Sequence, residues 1–141
     1  MKALALVLGM AATTAAQSSG PAVAGTWTAR FESRTIVRLE LAETGGTVTG
    51  ALGLGDIQVD KKGAVSKAAP APRVLSPIFD VTLSGSTMTF SRKDGEDTDR
   101  FEVRFLDKDR AELHFLLSDT DRRELAAEGI PVPRPIALTR Q

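Results

Sequence analysis

From Gly25 to the C-terminus, apolar and polar residues alternate along most of the chain with a period of two. Such alternation is typical of half-buried β-strands, because successive side chains of a strand point to opposite faces. It first covers residues 25–32, 35–42 and 47–54, and a glycine-containing turn at 43–46 separates the last two segments. Short turns between alternating segments predict an antiparallel meander.

The same alternation returns in the second half of the chain. It predicts further strands over residues 78–83, 87–92, 99–106, 110–117 and 136–140. Together with the first three segments, these make a sheet of about eight strands.

One segment has a helical rather than a strand pattern. Residues 122–128 can form a short helix, Ser118 and Asp121 have the spacing of an N-terminal capping box, and Gly129 can end the helix. The proline-rich residues 130–135 are predicted to be extended, because a residue that precedes proline disfavours helix. The sequence therefore predicts one short helix before the last strand.

The apolar face of the predicted strands carries all the aromatic residues of the chain. On this parity, the residues that line the interior as a candidate pocket are Trp27, Phe31, Phe79, Phe90, Phe101, Phe105 and Phe115. A long open sheet would expose two edge strands, and closure into a barrel removes both of them. We therefore predict an all-β fold, an antiparallel up-and-down barrel; a two-sheet sandwich satisfies the same alternation and is the alternative.

The first residues have the anatomy of an export signal. A positively charged start is followed by an apolar run over 3–12 and then by small residues, and the run is shorter than the about 20 residues of a membrane span. We predict a cleaved signal peptide over 1–16, a flexible N-terminus over 17–24 and a barrel domain over 25–141. Cleavage after Ala24 and a buried apolar helix are the alternatives. The predicted location is secreted or periplasmic.

Composition narrows the classes of partner. The chain has 18 Lys and Arg against 18 Asp and Glu, so its formal net charge is zero. A balanced charge gives no general attraction to nucleic acid or to anionic membranes, and we expect no nucleic-acid partner and no stable membrane insertion after signal cleavage. The absence of cysteine excludes disulfides, thiolate metal sites and a cysteine nucleophile.

The start of the first strand carries a recognisable motif. Gly25-Thr26-Trp27 resembles the G-x-W signature of the calycin superfamily, which includes lipocalins and avidins. That resemblance implies a small barrel in which the Trp plugs one end and a basic residue of the last strand lies across it. Arg140 has the matching parity, so Trp27 and Arg140 are predicted to form this barrel-end pair, a stacking contact that contributes about 0.5–2 kcal/mol.

The rest of the chain resembles the family as a strand pattern over 25–141. It differs from lipocalins in its length and in having no Tyr for their T-D-Y motif and no Cys. It is also similar to short secreted bacterial barrels that begin with G-T-W and have no assigned activity.

Candidate catalytic chemistry is sparse. The lone His114 is predicted to point outward beside Glu112, and with Arg104 it forms the one candidate cluster for a general base or a metal ligand. Metal sites need several converging ligands, and the acidic residues 94–99 lack the spacing of a calcium loop and predict a hairpin turn. We expect no catalytic residue, no metal and no cofactor.

The predicted inner face is almost wholly apolar, with Arg140 as its one charge, and such an interior does not support acid–base catalysis. Two non-catalytic functions remain. In the first, the small inward residues Ala29, Gly50 and Ala111 leave a pocket for a small apolar ligand. In the second, the core is filled and the barrel acts through its loops on a protein partner, as an interaction module or an inhibitor.

The best candidate loop covers residues 60–73, which are rich in Lys, Ala, Pro and Gly. This composition predicts a long mobile loop, preceded by a short strand over 56–59. The loop is cationic, since it carries Lys61, Lys62, Lys67 and Arg73 against one Asp. It could therefore meet an anionic protein surface or ligand head group.

Overall fold

The computed structural model describes residues 22–141. The predicted signal peptide, residues 1–16, and residues 17–21 of the predicted flexible N-terminus lie outside the described residues. Within the described part, the elements follow in chain order: β1 (Gly25–Phe31), β2 (Arg34–Thr44), β3 (Thr47–Leu54), β4 (Ile57–Val59), β5 (Val65–Ala68), β6 (Ser76–Ser84), β7 (Thr87–Asp94), β8 (Asp97–Phe105), β9 (Arg110–Leu116), α1 (Asp119–Ala127) and β10 (Ile136–Arg140).

Eight of the strands close into an antiparallel barrel in the order β1-β10-β9-β8-β7-β6-β3-β2. This confirms the predicted all-β barrel with a helix before the last strand, and it excludes the sandwich. β4 and β5 pair with each other and form a hairpin inserted between β3 and β6. The predicted short strand over 56–59 is thus β4, outside the barrel, and the predicted loop over 60–73 contains β5.

The barrel closes through a short seam between its first and last strands. β1 pairs with β10 at Trp27–Arg140 and Thr28–Thr139, whereas β1 pairs with β2 along its whole length. The register of β1 against β2 shifts after Ala29, and such an irregularity bends a strand. Beyond Thr28 the pairing of β1 with β10 ends, and the two strands diverge.

Large apolar side chains fill the barrel. Those that are almost wholly buried are Trp27, Ile36, Leu39, Leu52, Met88, Phe90, Phe101, Leu113 and Leu138. The ring centres of Trp27 and Phe105 are 5.3 Å apart, and those of Phe90 and Phe101 are 5.5 Å apart. These are contact distances for aromatic pairs, so the interior is a packed core.

The small inward residues do not leave an empty pocket. Ala29 and Ala111 are 6% and 1% exposed. A Cβ added to Gly50 would lie 2.1 Å from the carbonyl oxygen of Glu40 and 2.9 Å from a methyl carbon of Leu41. Small residues therefore stand where neighbouring groups approach closely.

Phe79 does not line the interior, and the prediction from simple alternation is wrong at this position. β6 has an irregular register between Phe79 and Thr82, and Asp80 adopts a φ of 51°. A bulge of this kind reverses the parity of the side chains. Ile78 and Val81 consequently pack on the core, and Phe79 is 37% exposed.

Phe31 and Phe115 are only half-buried, unlike the other predicted pocket residues on the inner face. Phe31 lies beyond the register shift of β1, where that strand has turned away from β10. Phe115 lies near the end of β9, with its ring centre 5.7 Å from that of Phe101. Trp27, Phe90, Phe101 and Phe105 remain as the buried aromatic residues of the core.

The helix begins at the predicted capping box and three residues earlier than the predicted 122–128. The Ser118 hydroxyl accepts a hydrogen bond from the backbone N–H of Asp121 at 3.0 Å, and the Asp121 carboxylate accepts one from the backbone N–H of Ser118 at 3.4 Å. Gly129 follows the helix with a φ of 71°, as the stop signal predicts. No side chain of α1 is buried against the described residues, so the helix lies on the surface.

Because the bulge in β6 turns Phe79 outward, we expect its truncation to cost less stability than simple alternation of inward and outward residues would predict. We expect Phe90→Ala to lower the free energy of unfolding by about 3–5 kcal/mol and Phe79→Ala to lower it by only about 1–2 kcal/mol. Urea unfolding followed by Trp27 fluorescence measures both. Equal losses would mean that Phe79 is buried in the core.

Candidate functional site

One end of the barrel, named here the closed end, is covered by Trp27, Phe105 and Arg140. Trp27 is fully buried, and its indole N–H donates to the carbonyl oxygen of Val23 at 2.9 Å. Val23 is itself fully buried. The guanidinium carbon of Arg140 lies 4.4 Å from the centre of the Trp27 ring, within cation–π distance. Indole and guanidinium together close this end.

Arg140 is held by backbone oxygens. Its Nε donates to the carbonyl oxygen of Lys108 at 2.6 Å, and its two Nη groups donate to the carbonyl oxygens of Ala22 and Ala24. All three guanidinium nitrogens are thus hydrogen-bonded within the protein. Residues 22–24, part of the segment predicted to be flexible, are held against the barrel by these bonds.

The β8–β9 turn that presents the Lys108 carbonyl is fixed by Asp107. Its carboxylate accepts hydrogen bonds from the backbone N–H of Asp109 at 2.9 Å and from Nε of Arg110 at 2.7 Å. These bonds, the one from Asp109 foremost, lower the pKa of Asp107 below its usual value. The turn therefore holds its shape most firmly when this carboxyl is ionised.

The opposite end, named here the mouth, holds a cavity of about 460 Å³. It lies between the ends of β3, β7 and β9, the starts of β6 and β8, and the first turn of α1. Its apolar lining includes Leu54, Ile57, Phe101 and Phe115. Its charged lining consists of Asp56, Asp94, Asp99, Asp121, Arg92, Lys93 and Arg100.

Arg92 is the mouth residue that sequence analysis missed. It has the parity of Met88 and Phe90 on β7 and so points inward, and it is 9% exposed. Sequence analysis predicted that Arg140 is the one charged residue of the inner face. This prediction is wrong, because Arg92 also points inward. Parity alone could have found Arg92, because it lies two residues beyond the inward Phe90.

The guanidinium of Arg92 is only partly satisfied by the protein. Its Nη2 donates to Asp99 at 3.0 Å and lies 4.0 Å from Asp94, and its carbon lies 5.5 Å from the Phe101 ring centre. Its Nε is buried and has no hydrogen-bond partner among residues 22–141. A buried donor without a partner has given up its hydrogen bonds to water and gains none within the protein, which destabilises the folded state.

The β4–β5 hairpin is fixed at the mouth end of the barrel. The Asp60 carboxylate accepts hydrogen bonds from the backbone N–H groups of Lys62 and Ala64 at 2.8 and 3.1 Å. Gly63, with a φ of 84°, comes close to the proline-rich segment, and its carbonyl oxygen accepts from the backbone N–H of Arg134 at 2.9 Å. The predicted mobile loop is thus a structured hairpin tied to residues 130–135.

A second cleft, of about 560 Å³, lies between the end of β1 and the start of β10, where these two strands diverge. Phe31, Ile36, Val65 and Ile136 contribute its apolar lining, and Arg30, Glu112 and Arg134 contribute charge. This cleft holds Phe31, which was predicted inside the barrel. The seven predicted pocket residues therefore do not form one pocket. Trp27, Phe90, Phe101 and Phe105 lie in the core, Phe115 lies at the mouth, Phe31 lies in this cleft and Phe79 lies on the outer face.

His114 lies on the outer face, as its parity predicts, and is half-buried there. Its Nε2 is 3.2 Å from Glu112, while Arg104 donates to Glu102 at 2.6 Å. Glu102 lies directly across from His114, and Arg104 across from Glu112. The cluster is a cross-strand network on the surface of β8 and β9.

Among residues 22–141, no group of three or more His, Cys, Asp or Glu side chains is placed to hold a metal ion. The same residues contain no helix with the length and apolar character of a membrane span. Comparison of the chain with protein-family models, with curated proteins and with solved structures finds no match in any of the three.

The hydrogen bonds of Arg140 to three backbone carbonyl oxygens indicate that this residue stabilises the closed end. We expect Arg140→Lys to lower the free energy of unfolding by about 1–3 kcal/mol, because a lysine cannot reach all three oxygens and stack on the indole. A red shift of Trp27 fluorescence should accompany the loss. Arg30→Lys is the matched control, since exposed Arg30 donates to a single carbonyl oxygen, that of Ser33. Equal stability of the two variants would contradict the prediction.

Proposed function

We propose that this chain is an exported, non-catalytic β-barrel that binds a small molecule at its mouth. The observation that carries the proposal is the contrast between the packed interior and the cavity above it. The rings of Phe90, Phe101 and Phe115 are in contact along the three neighbouring strands β7, β8 and β9, and Phe101 and Phe115 line the cavity of about 460 Å³.

The dimensions of the mouth support a small ligand. Sites for small molecules are concave and measure about 300–1,000 Å³, and the mouth cavity of about 460 Å³ lies within this range. An eight-stranded barrel has an interior that side chains can fill, and here they do, with Leu39, Leu52 and Leu113 wholly buried. A ligand would therefore bind above the core rather than within it.

Export and the lack of catalysis are supported by the sequence. The first sixteen residues have the charge and apolar pattern of a signal peptide. The mouth contains no histidine and no Ser–His pair, and the lone His114 lies on the outer face with Glu112. Membership of the calycin superfamily is part of the proposal, supported by Trp27 at the start of β1 and by the Arg140 guanidinium across its ring.

A neutral fluorescent probe, N-phenyl-1-naphthylamine, tests whether binding takes place at the mouth. Ser76 lines the mouth and lies across from inward Leu52, so we expect Ser76→Phe to fill the cavity and to weaken probe binding at least about tenfold. Ser86→Phe makes the same change in an exposed turn at the closed end and should leave binding unchanged. Binding that survives Ser76→Phe would place the probe elsewhere and overturn the proposal.

A second candidate function is favoured by the same packed core: a protein-interaction or inhibitor-type barrel that acts through its surface. The β4–β5 hairpin presents Lys61, Lys62 and Lys67 as exposed cations on a fixed frame. A pre-ordered cationic hairpin suits an anionic partner, because no loop has to be ordered on binding.

Charge reversal tests this second function better than deletion of the hairpin. Ala68 of β5 is buried, and its carbonyl oxygen accepts from Arg34 at 3.1 Å, so deletion would disturb the barrel. We expect the triple variant Lys61→Glu, Lys62→Glu, Lys67→Glu to lose a protein partner captured from the native secreted fraction. Lys108→Glu, in the exposed β8–β9 turn at the closed end, is the control away from the hairpin. Identical captured proteins from all forms would contradict the interaction function.

A further inference from the structure

We propose that the cleft between β1 and β10 is a docking site for an extended, acidic peptide segment of a protein partner. The peptide adds to the free edge of β10 as an extra antiparallel strand, a known mode of peptide recognition. The cleft measures about 560 Å³. This proposal goes beyond binding at the mouth and does not depend on it, because no residue lines both the mouth and this cleft.

The cleft lies between two strand edges that have no partner strand among residues 22–141. The ladder between β1 and β10 ends at Thr28–Thr139. Beyond that pair, residues 136–138 of β10 pair with β9 alone, and residues 29–31 of β1 pair with β2 alone. An unpaired edge is a template for another extended chain. The barrel is therefore open locally at this place, and three residues of each strand border the opening.

Ala137 presents the backbone groups that an added strand would use. Successive residues of a strand direct their N–H and C=O groups to opposite sides. The N–H of Gln141 donates to the Thr26 carbonyl of β1, and the N–H of Arg140 donates to the Asp109 carbonyl next to β9, both at 2.8 Å. By this alternation the N–H and C=O of Ala137 point towards β1, yet no residue of β1 pairs with Ala137. Ala137 is exposed and lines the cleft, so another strand can approach it.

Part of the lining of the cleft is apolar and can receive side chains of the peptide. Phe31 and Val65 are half-buried there, beside Ile36 and Ile136. In a strand added to β10, every second side chain lies on the same face as Ile136. Apolar residues at these alternate positions would cover Phe31 and Val65, and burial of apolar surface favours the contact.

The charged lining of the cleft favours an acidic peptide. Arg30 and Arg134 are exposed, and neither forms an ion pair with a carboxylate among residues 22–141. Glu112, the carboxylate of the lining, lies 3.2 Å from the imidazole of His114. Complementary charge promotes association and suppresses partners of the wrong sign. Acidic side chains at the outward positions of the peptide would therefore meet two arginines that have no acidic partner of their own.

Three pentapeptides with blocked ends test the proposal on the protein as it is exported. They are EVEVE, its cationic counterpart KVKVK, and EVEVE with an N-methyl group on the central glutamate. In an antiparallel addition, the central residue stands opposite Ala137 and exchanges both backbone hydrogen bonds with it. Binding is followed by the backbone ¹⁵N–¹H signals of the protein.

We expect EVEVE to shift the signals of the cleft and to move the Ala137 amide signal downfield, since this amide gains an acceptor. Hydrogen exchange of the Ala137 amide should slow at the same time. KVKVK should bind at least about tenfold more weakly because of its charge. The N-methylated peptide should also bind at least about tenfold more weakly, because it lacks the central N–H.

Two substitutions at one position separate the backbone of Ala137 from its side chain. Ala137→Pro removes the N–H and places a ring on the free edge, and should weaken EVEVE binding at least about tenfold. Ala137→Val keeps the N–H and should leave the affinity within about twofold. If Ala137→Pro does not fold, the comparison of EVEVE with its N-methylated form on the unaltered protein decides the question.

A second pair of variants tests the charge of the cleft. Arg134→Gln removes one of the two arginines and should weaken EVEVE binding about two- to fivefold. Arg123→Gln makes the same change at an exposed arginine of α1 that does not line the cleft, and should leave binding unchanged. Equal effects of the two variants would contradict recognition by the cleft.

Four results would overturn the proposal. EVEVE shifts no cleft signal at concentrations up to about 10 mM; KVKVK binds as tightly as EVEVE; or the N-methylated peptide does so. In the fourth, the cleft signals shift on dilution of the protein alone, which would mean that a second copy of the chain occupies the cleft. Binding of N-phenyl-1-naphthylamine at the mouth is a separate measurement, and neither result decides the other.

Discussion

The barrel depends on the closure of its first strand against its last, and this closure is made at Trp27. β1 and β10 pair only through Trp27–Arg140 and Thr28–Thr139, so their ladder supplies few backbone hydrogen bonds. Packing must supply the rest: the indole contacts Phe105 at 5.3 Å and is covered by the Arg140 guanidinium. Without this contact the sheet would have two free edges, and the distinction between an inner and an outer face would be lost.

The same contact explains why the chain upstream of β1 belongs to the fold. Val23 is wholly buried and its carbonyl oxygen accepts the Trp27 indole N–H, while Arg140 binds the carbonyl oxygens of Ala22 and Ala24. Cleavage after Ala24, the alternative processing site, would remove all three acceptors. Cleavage after Ala16, the predicted site, would keep them.

Much of this fold could be predicted from the sequence, because alternation with a period of two is a direct consequence of strand geometry. The barrel strands and the capping box at Ser118 followed from local pattern, and Arg140 was paired with Trp27 from its parity and a family resemblance. Phe79 could not be placed correctly, since the bulge at Asp80 depends on a backbone conformation that no apolar pattern records. The short strand that became β4 was predicted, but β5 and its pairing with β4 were missed, because the composition of residues 60–73 indicates a loop. The bond that ties the hairpin to the proline-rich segment joins Gly63 to Arg134, which are distant in sequence.

The candidate site was harder to predict than the fold, for a physical reason. Sequence analysis placed the apolar residues inside and treated charged residues as solvated, a rule that holds for most charged side chains. Arg92 breaks this rule because Asp99 and the Phe101 ring compensate its burial. Both partners lie on the neighbouring strand β8, and their proximity to Arg92 becomes evident only once the register of β7 against β8 is known.

The connections between strands point to the mouth independently of its charges. At the closed end, β2–β3, β6–β7 and β8–β9 are joined by short turns, and Arg140 and Trp27 fill the space between them. Both long connections of the barrel, the one from β3 to β6 that contains the hairpin and the one from β9 to β10 that contains α1, leave and return at the opposite end. Long connections carry binding residues on a rigid scaffold more often than tight turns do. A barrel whose interior is filled and whose other end is sealed has its remaining variable surface at the mouth, and that is where the partly satisfied Arg92 lies.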